Sequence, residues 1–291
     1  MRKNRKGKPV RLHSAAAKAG RTDRKPLYIL LAIAMICAMA AGVYMAYVKL
    51  HGLWTAQCAV TDVTKQVSIT GNQYTNDGVV LDVLDIKNGA NLAKIDFCKA
   101  REKALAKIPG IKTMTIQRHL PDRLEITIEE RIPVARMNVK GNKRITGRVV
   151  DSEGMVFSRQ PNTSTLPFIY EDKARATPIG KSLSGRQLAA VRLAEISQEQ
   201  RFASLGILSI DTTHADFLVA ILGNYARANI AWENMDSPTA KTAASLEEQF
   251  GNLFSAVKAN IARHSSGAAS AIVWNATQPG YIYADTKEPI Q

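Results

Sequence analysis

Cysteine is scarce, with only Cys37, Cys58 and Cys98 in a chain of 291 residues. That count excludes a disulfide-stapled scaffold, and no Cys-x-x-Cys pair or His/Cys cluster offers a metal its usual ligands. Aromatic residues are few at 6%, so a core must be built on Val, Ile, Leu and Ala, which a hydrophobic fraction of 46% permits. Catalytic signatures are missing: no phosphate-cradling glycine loop, no His-Glu-x-x-His, no Gly-x-Ser-x-Gly elbow. The chain therefore reads as a binding protein and not an enzyme, with no cofactor and no small-molecule substrate. Acids are outnumbered, 25 against 39 basic residues, for a formal net charge of +14. Such an excess suits nucleic acid, so its placement decides what it means.

Most of it lies in residues 1–26. Ten basic residues there face one acid, Asp23, a net +9 that leaves +5 for the rest of the chain. This tail has no aromatic to stack on bases and no apolar period, so it reads as a disordered basic segment without a nucleic-acid role. Leu27 to Val48 then runs 22 residues without a charge. As a helix it would be about 33 Å long, enough to cross a bilayer. Basic flanks stay on the cytoplasmic side, which predicts a single-pass anchor over 27–48 with its N-terminus in and its C-terminus out. A cleaved signal peptide competes, since Ala38-Met39-Ala40 fits a cleavage site. The apolar run continues past Ala40, however, and the basic region before it is long. Beyond Lys49 the chain would be extracytoplasmic, where a disulfide between Cys58 and Cys98 is possible; the alternative is two separate thiols.

Between Cys58 and Glu130 the periods change in order. Val63, Val67 and Ile69 alternate with polar residues as in a strand stopped at Gly71-Asn72. Asn76 or Asp77 can cap a short helix carrying Val79 to Leu84, and Asp96 a second helix running to Ile108. Met114 and Ile116 mark one further strand, and Leu124, Ile126 and Ile128 another, across the Pro121-Asp122 turn. Pro133 reads as a strand end, and Arg118 and Glu130 as solvated charges on a strand face. Strand, helix, helix, strand, strand makes a compact unit of about 70 residues.

These pieces resemble the POTRA domain of the FtsQ/DivIB family of bacterial division proteins. The likeness rests on Val67 to Asn72, on Asn91-Leu92 with Ile95-Asp96, and on Ile108-Pro109-Gly110-Ile111. It is strongest from Ile116 to Ile126, continuing through Glu130-Arg131-Ile132-Pro133-Val134-Ala135. Within it we single out Gly71, Asn72, Arg118, Pro121, Asp122, Glu130, Arg131 and Pro133. Leu120 stands where the family usually has Trp, and Met137 ends a stretch that in the family often ends in Trp.

Further on, Arg148 to Phe157 reads as strand, turn, strand, with Asp151 and Glu153 as turn acids without a partner. Leu166-Pro167-Phe168-Ile169 matches another family step. Ser184 to Phe202 has a helical period, Ile207–Ile210 and Phe217–Leu222 form a hairpin, and Ala228–Trp232 is a strand. Asp211, His214 and Asp216 fit a polar hairpin tip better than a metal site. Ser237-Pro238 opens a long helix whose apolar stripe includes Leu246, Phe250, Leu253 and Val257. Ala269–Trp274 and Tyr281–Ala284 are closing strands around Gln278-Pro279-Gly280, with Ile272 to Asn275 where the family often has Asp-Leu-Arg.

The expected class is α+β: a single N-terminal transmembrane helix, a POTRA domain (β-α-α-β-β) over 58–131, and a second mixed α/β domain over 132–285 dominated by an antiparallel sheet. A tail of 286–291 follows. The resemblance implies an inner-membrane, single-pass scaffold at the division septum, its partners FtsB/FtsL-like division proteins held partly by β-strand addition. The edge expected to take such a strand is Gly280, Tyr281, Ile282, Tyr283, Ala284 and Asp285, with Tyr281 and Tyr283 on one face and Ile282 on the other. A POTRA-type module that binds translocating or unfolded chains is the alternative.

Overall fold

The computed structural model describes residues 25–144, 146–159, 165–237, 239–263 and 272–285. The basic tail up to residue 24, Pro238 and the tail 286–291 lie outside them. The first compact unit ends at Ala56 and contains helix α1 (Lys25–Gln57) up to that residue. Within α1, Tyr28–Leu53 is 26 residues long and apolar enough to cross a membrane, with no position buried. The helix thus continues past Val48, where the uncharged run stops. This fits a single-pass membrane protein.

The second unit, Gln57–Gln291, holds two sheets. The smaller is built from β1 (Val67–Thr70), β2 (Ile111–His119) and β3 (Arg123–Glu130), with β3 central, parallel to β1 and antiparallel to β2. Alternation along β3 buries Leu124, Ile126 and Ile128 and exposes Glu125, Thr127 and Glu129. Helices α3 (Asp77–Leu84) and α4 (Phe97–Lys107) close over the apolar face through Val80, Leu84 and Ala104. Asn76 caps α3 by accepting from Gly78 N, and Asp96 caps α4 by accepting from Lys99 N. The strand read from Val63 starts only at Val67. Asp62 accepts from Thr64 N at 3.1 Å and turns Val63–Gln66 into one turn of helix, α2. At Gly71 the φ is +84°, and a Cβ there would collide with the Ile128 carbonyl oxygen, so the position requires glycine.

The larger sheet has nine strands in the order β12-β11-β10-β9-β8-β7-β4-β5-β6. They are β4 (Pro133–Val139), β5 (Arg148–Asp151), β6 (Val156–Ser158), β7 (Phe168–Glu171), β8 (Ile207–Asp211), β9 (Leu218–Leu222), β10 (Arg227–Ile230), β11 (Val273–Gln278) and β12 (Tyr281–Asp285). Five of the eight pairings are antiparallel, so the expectation of a mainly antiparallel sheet is met. Parallel neighbours need a crossover: α5 (Gly185–Ser197) joins β7 to β8, and α6 (Ala240–Arg263) joins β10 to β11. Both helices pack on one face, where Met137, Ile169, Ile210, Leu218, Ala228 and Trp274 meet Leu193, Leu246, Phe250 and Leu253. Helix α5 stops at Ser197, short of Phe202, whose ring instead packs edge-on against Phe250. Pro133 opens a strand rather than ending one. It stands opposite Asp151 at the start of β4, where its missing N–H is tolerated.

Candidate functional site

Strand β12 is the last strand at one end of the nine-stranded sheet. It pairs with β11 through Val273–Asp285, Trp274–Ala284, Asn275–Tyr283 and Gln278–Tyr281, with a bulge between Asn275 and Gln278. Its other side has no partner among the described strands, so the backbone groups there form an open edge. Ile282 packs against the helix-covered core, while Tyr281 and Tyr283 are exposed. Ala284 and Asp285 are exposed as well. Gly280 supplies the turn with a φ of +75°. From Tyr283 the pairing continues across Asn275 to Asn229 and Val219, placing these residues in one row across four strands.

One buried side chain holds this hairpin, and sequence reasoning passed over it. Gln249 of α6 donates from Nε2 to the carbonyls of Ala276 (2.8 Å) and Gln278 (2.9 Å), and its Oε1 accepts from Gly280 N (3.2 Å). The signal was available: a glutamine beside Phe250 and one turn past Leu246, inside the apolar stripe of α6.

The POTRA motif residues fall into three groups. Gly71, Asn72, Pro121 and Asp122 shape turns: Asn72 Nδ2 donates to Thr75 O and Asp77 Oδ1, and Asp122 accepts from Gln66 Nε2 at 2.7 Å. Arg118 is not simply solvated. Its guanidinium lies over the Phe97 ring, 4.7 Å from the centroid, and donates to Ile95 O. Glu130, Arg131 and Pro133 sit at the seam between the two sheets. Arg131 Nη1 reaches Asp151 Oδ2 at 2.5 Å and Glu153 Oε2 at 2.9 Å, and Lys112 Nζ reaches the other Glu153 oxygen at 3.0 Å. The turn acids therefore do have partners, supplied by the preceding domain. Glu130 is not a solvated charge either: its carboxylate accepts from Tyr74 N and Thr75 N. Arg159 donates to Arg131 O at 2.7 Å and stacks on Tyr74 at 3.5 Å.

The seam sets an acid limit. Burial alone would raise the Glu130 carboxyl, but hydrogen bonds from Thr75 and Tyr74 outweigh it and hold it below its ordinary value of 4.5. Bonds from Lys112 and Arg131 lower Glu153 likewise. Depressed carboxyls stabilise the fold fully above the unfolded value, 4.5, and stop doing so as the pH falls through their lowered folded values. Urea unfolding of the full chain in detergent should show stability falling as the pH drops below about 4.5, and Glu130→Gln should flatten that fall.

The remaining candidates stay apart. Cys58 is buried, its carbonyl bonded to Leu92 N, whereas Cys98 is exposed on α4, and no bridge joins them. Asp211 pairs with Lys140 at 2.7 Å, and the His214 ring stacks on Phe217. Among the described residues no three His, Cys, Asp or Glu side chains gather as a metal site would require.

Residues 64–131 match the family model described as POTRA domain, FtsQ-type. The chain is also similar to proteins called cell division protein FtsQ. That of Mycobacterium tuberculosis (strain ATCC 25618 / H37Rv) is 26% identical over 163 residues, 56% of this chain and 50% of the relative. That of Mycobacterium leprae is 27% identical over 166 residues, covering 56% and 47%. That of Escherichia coli (strain K12) is 26% identical over 145 residues, covering 48% and 50%. The chain spans about half the length of the curated relatives it matches.

Proposed function

We propose that the chain, with its FtsQ-type POTRA domain and its similarity to cell division proteins called FtsQ, is a member of the FtsQ/DivIB family and a non-catalytic, membrane-anchored scaffold of the division septum. Its apolar helix α1 holds it in the inner membrane, N-terminus in the cytoplasm, with the two sheet domains in the periplasm. It links division proteins by contacts of its own surface, and FtsB/FtsL-like proteins add a strand at Gly280–Asp285.

The open edge of β12 carries this reading. A strand laid against it would satisfy backbone groups that otherwise face water, while Tyr281 and Tyr283 offer large amphipathic side chains of the kind that dominate interface energetics. Nucleic-acid binding is the weaker reading, because most of the charge excess, +9 of +14, sits in the first 26 residues.

Two variants test the edge. Ile282→Pro removes a backbone donor and should abolish co-purification of the FtsB/FtsL-like pair. Because Ile282 also touches the core, Tyr283→Ala is the second variant; it should fold normally yet weaken the pair by about ten-fold or more. Retained binding in both would reject this edge. For the division role, depletion should block septation and a fluorescent fusion should gather at midcell. Normal division with an even envelope distribution would count against it.

A further inference from the structure

The seam between the two sheets is also the wall of a cleft of about 600 Å³. Three large apolar side chains from separate segments open into it: Tyr74 (49% exposed), Val79 (50%) and Ile179 (47%). Soluble surfaces seldom gather exposed apolar residues in one concavity unless something docks there. Ile108, at the C-terminal end of α4, and Phe157 of β6 extend the same apolar lining.

The charges around it are unequally matched. Glu130 is saturated by two backbone N–H groups, and Arg131 is neutralised by Asp151 and Glu153. Arg159 lies 4.0 Å from Glu130 and covers the Tyr74 ring. Lys107, the last residue of α4, lines the cleft and makes none of the ion pairs found among the described residues. The cleft thus offers apolar surface with one uncompensated cation at its rim.

We infer that this cleft is a second docking site, distinct from the β12 edge, for an extended protein segment that carries a carboxylate beside an aliphatic side chain. The aliphatic group would fill the space between Val79 and Ile179, and the carboxylate would meet the Lys107 ammonium. Burying such side chains while completing a charge pair is what gives a short peptide both affinity and register. The cleft lies at the opposite end of the nine-stranded sheet from β12, since Phe157 belongs to β6 at the other edge. One chain could therefore hold two partners at once.

The probe is a fluorescein-labelled peptide alternating glutamate and leucine, titrated by anisotropy against the full chain in nanodiscs, with a lysine-leucine peptide as its counterpart. The acidic peptide should bind and the basic one should not. Lys107→Glu and Ile179→Asp, both at exposed side chains, should each weaken the acidic peptide about ten-fold or more without shifting the melting temperature. Tyr283→Ala should leave its affinity unchanged, which separates this site from the β12 reading. Equal binding of the two peptides, no binding at about 1 mM, or affinities within about two-fold in both variants would overturn the proposal. So would sedimentation showing that Ile179→Asp dissolves a dimer which the acidic peptide does not displace, for then a second copy fills the cleft.

Discussion

Arg148→Met should destabilise the second domain by about 3–5 kcal/mol, a large share of the roughly 5–15 kcal/mol that holds such a fold together. Glu171 is fully buried on β7, and its carboxylate depends on what surrounds it. Arg148 Nη2 lies 2.7 Å from Glu171 Oε1 and also donates to the Thr177 carbonyl, while Thr177 N (2.6 Å) and Gln187 Nε2 (3.1 Å) serve the other oxygen. Methionine fills similar space but leaves a buried carboxylate with two neutral donors and no cation. The cost arises chiefly from stranding that charge, so it should shrink when the charge goes too. Arg148→Met combined with Glu171→Leu should recover most of the loss, giving a coupling of about 2 kcal/mol or more. Urea unfolding of the full chain in detergent measures both. A single-variant loss under about 1 kcal/mol would mean that the pair is solvated in solution.

What could be read from the sequence follows the range of the forces involved. Local signals were reliable. Asn76, one of two candidates, and Asp96 cap the two helices, the Gln278-Pro279-Gly280 turn separates two strands, and the alternation from Leu124 to Ile128 becomes the buried face of β3. Failures came where a short pattern admits two periods or where the partner is distant in the chain. Val63 to Gln66 is too short for periodicity to separate strand from helix, and the Asp62 cap decides it. Pro133 could close one strand or open another, and only the pairing with Asp151 distinguishes them. Asp151 and Glu153 looked partnerless because Arg131 and Lys112 belong to the preceding domain. The candidate edge was legible as a strand from its local pattern, whereas its expected place at the sheet edge came from the family resemblance alone. That place depends on the β10–α6–β11 crossover, which sends β11 alongside β10 and leaves β12 outermost.

Gln249→Ala tests whether that edge is held ready from below. The variant removes three hydrogen bonds to the β11–β12 hairpin. The Ala276 carbonyl keeps a bond from Ala231 N, so the loss falls mainly on Gln278 O and Gly280 N. Gln278 and Gly280 are exposed, so water partly replaces what is lost, and three bonds each worth a net of about 0.5–1.5 kcal/mol put the expected destabilisation at about 2–4 kcal/mol. The penalty should be local, because the core beneath still holds Phe250, Leu253 and Trp274. Hydrogen exchange should therefore quicken by about two orders of magnitude or more at Tyr281–Asp285 while β7 and β8 keep their protection. If β12 is the edge that receives a partner strand, the same variant should weaken that partner although Gln249 is buried and cannot touch it. A fraying edge strand must be ordered again before another can pair with it, and that ordering is subtracted from the affinity. Gln249→Glu is the contrasting variant: it keeps the acceptor for Gly280 N but presents oxygen to two carbonyls. It should loosen the hairpin at least as much as alanine does at neutral pH, and less as acid protonates it. Equal exchange rates in wild type and both variants would show that the strand pairing alone, without the α6 clasp, sets the edge.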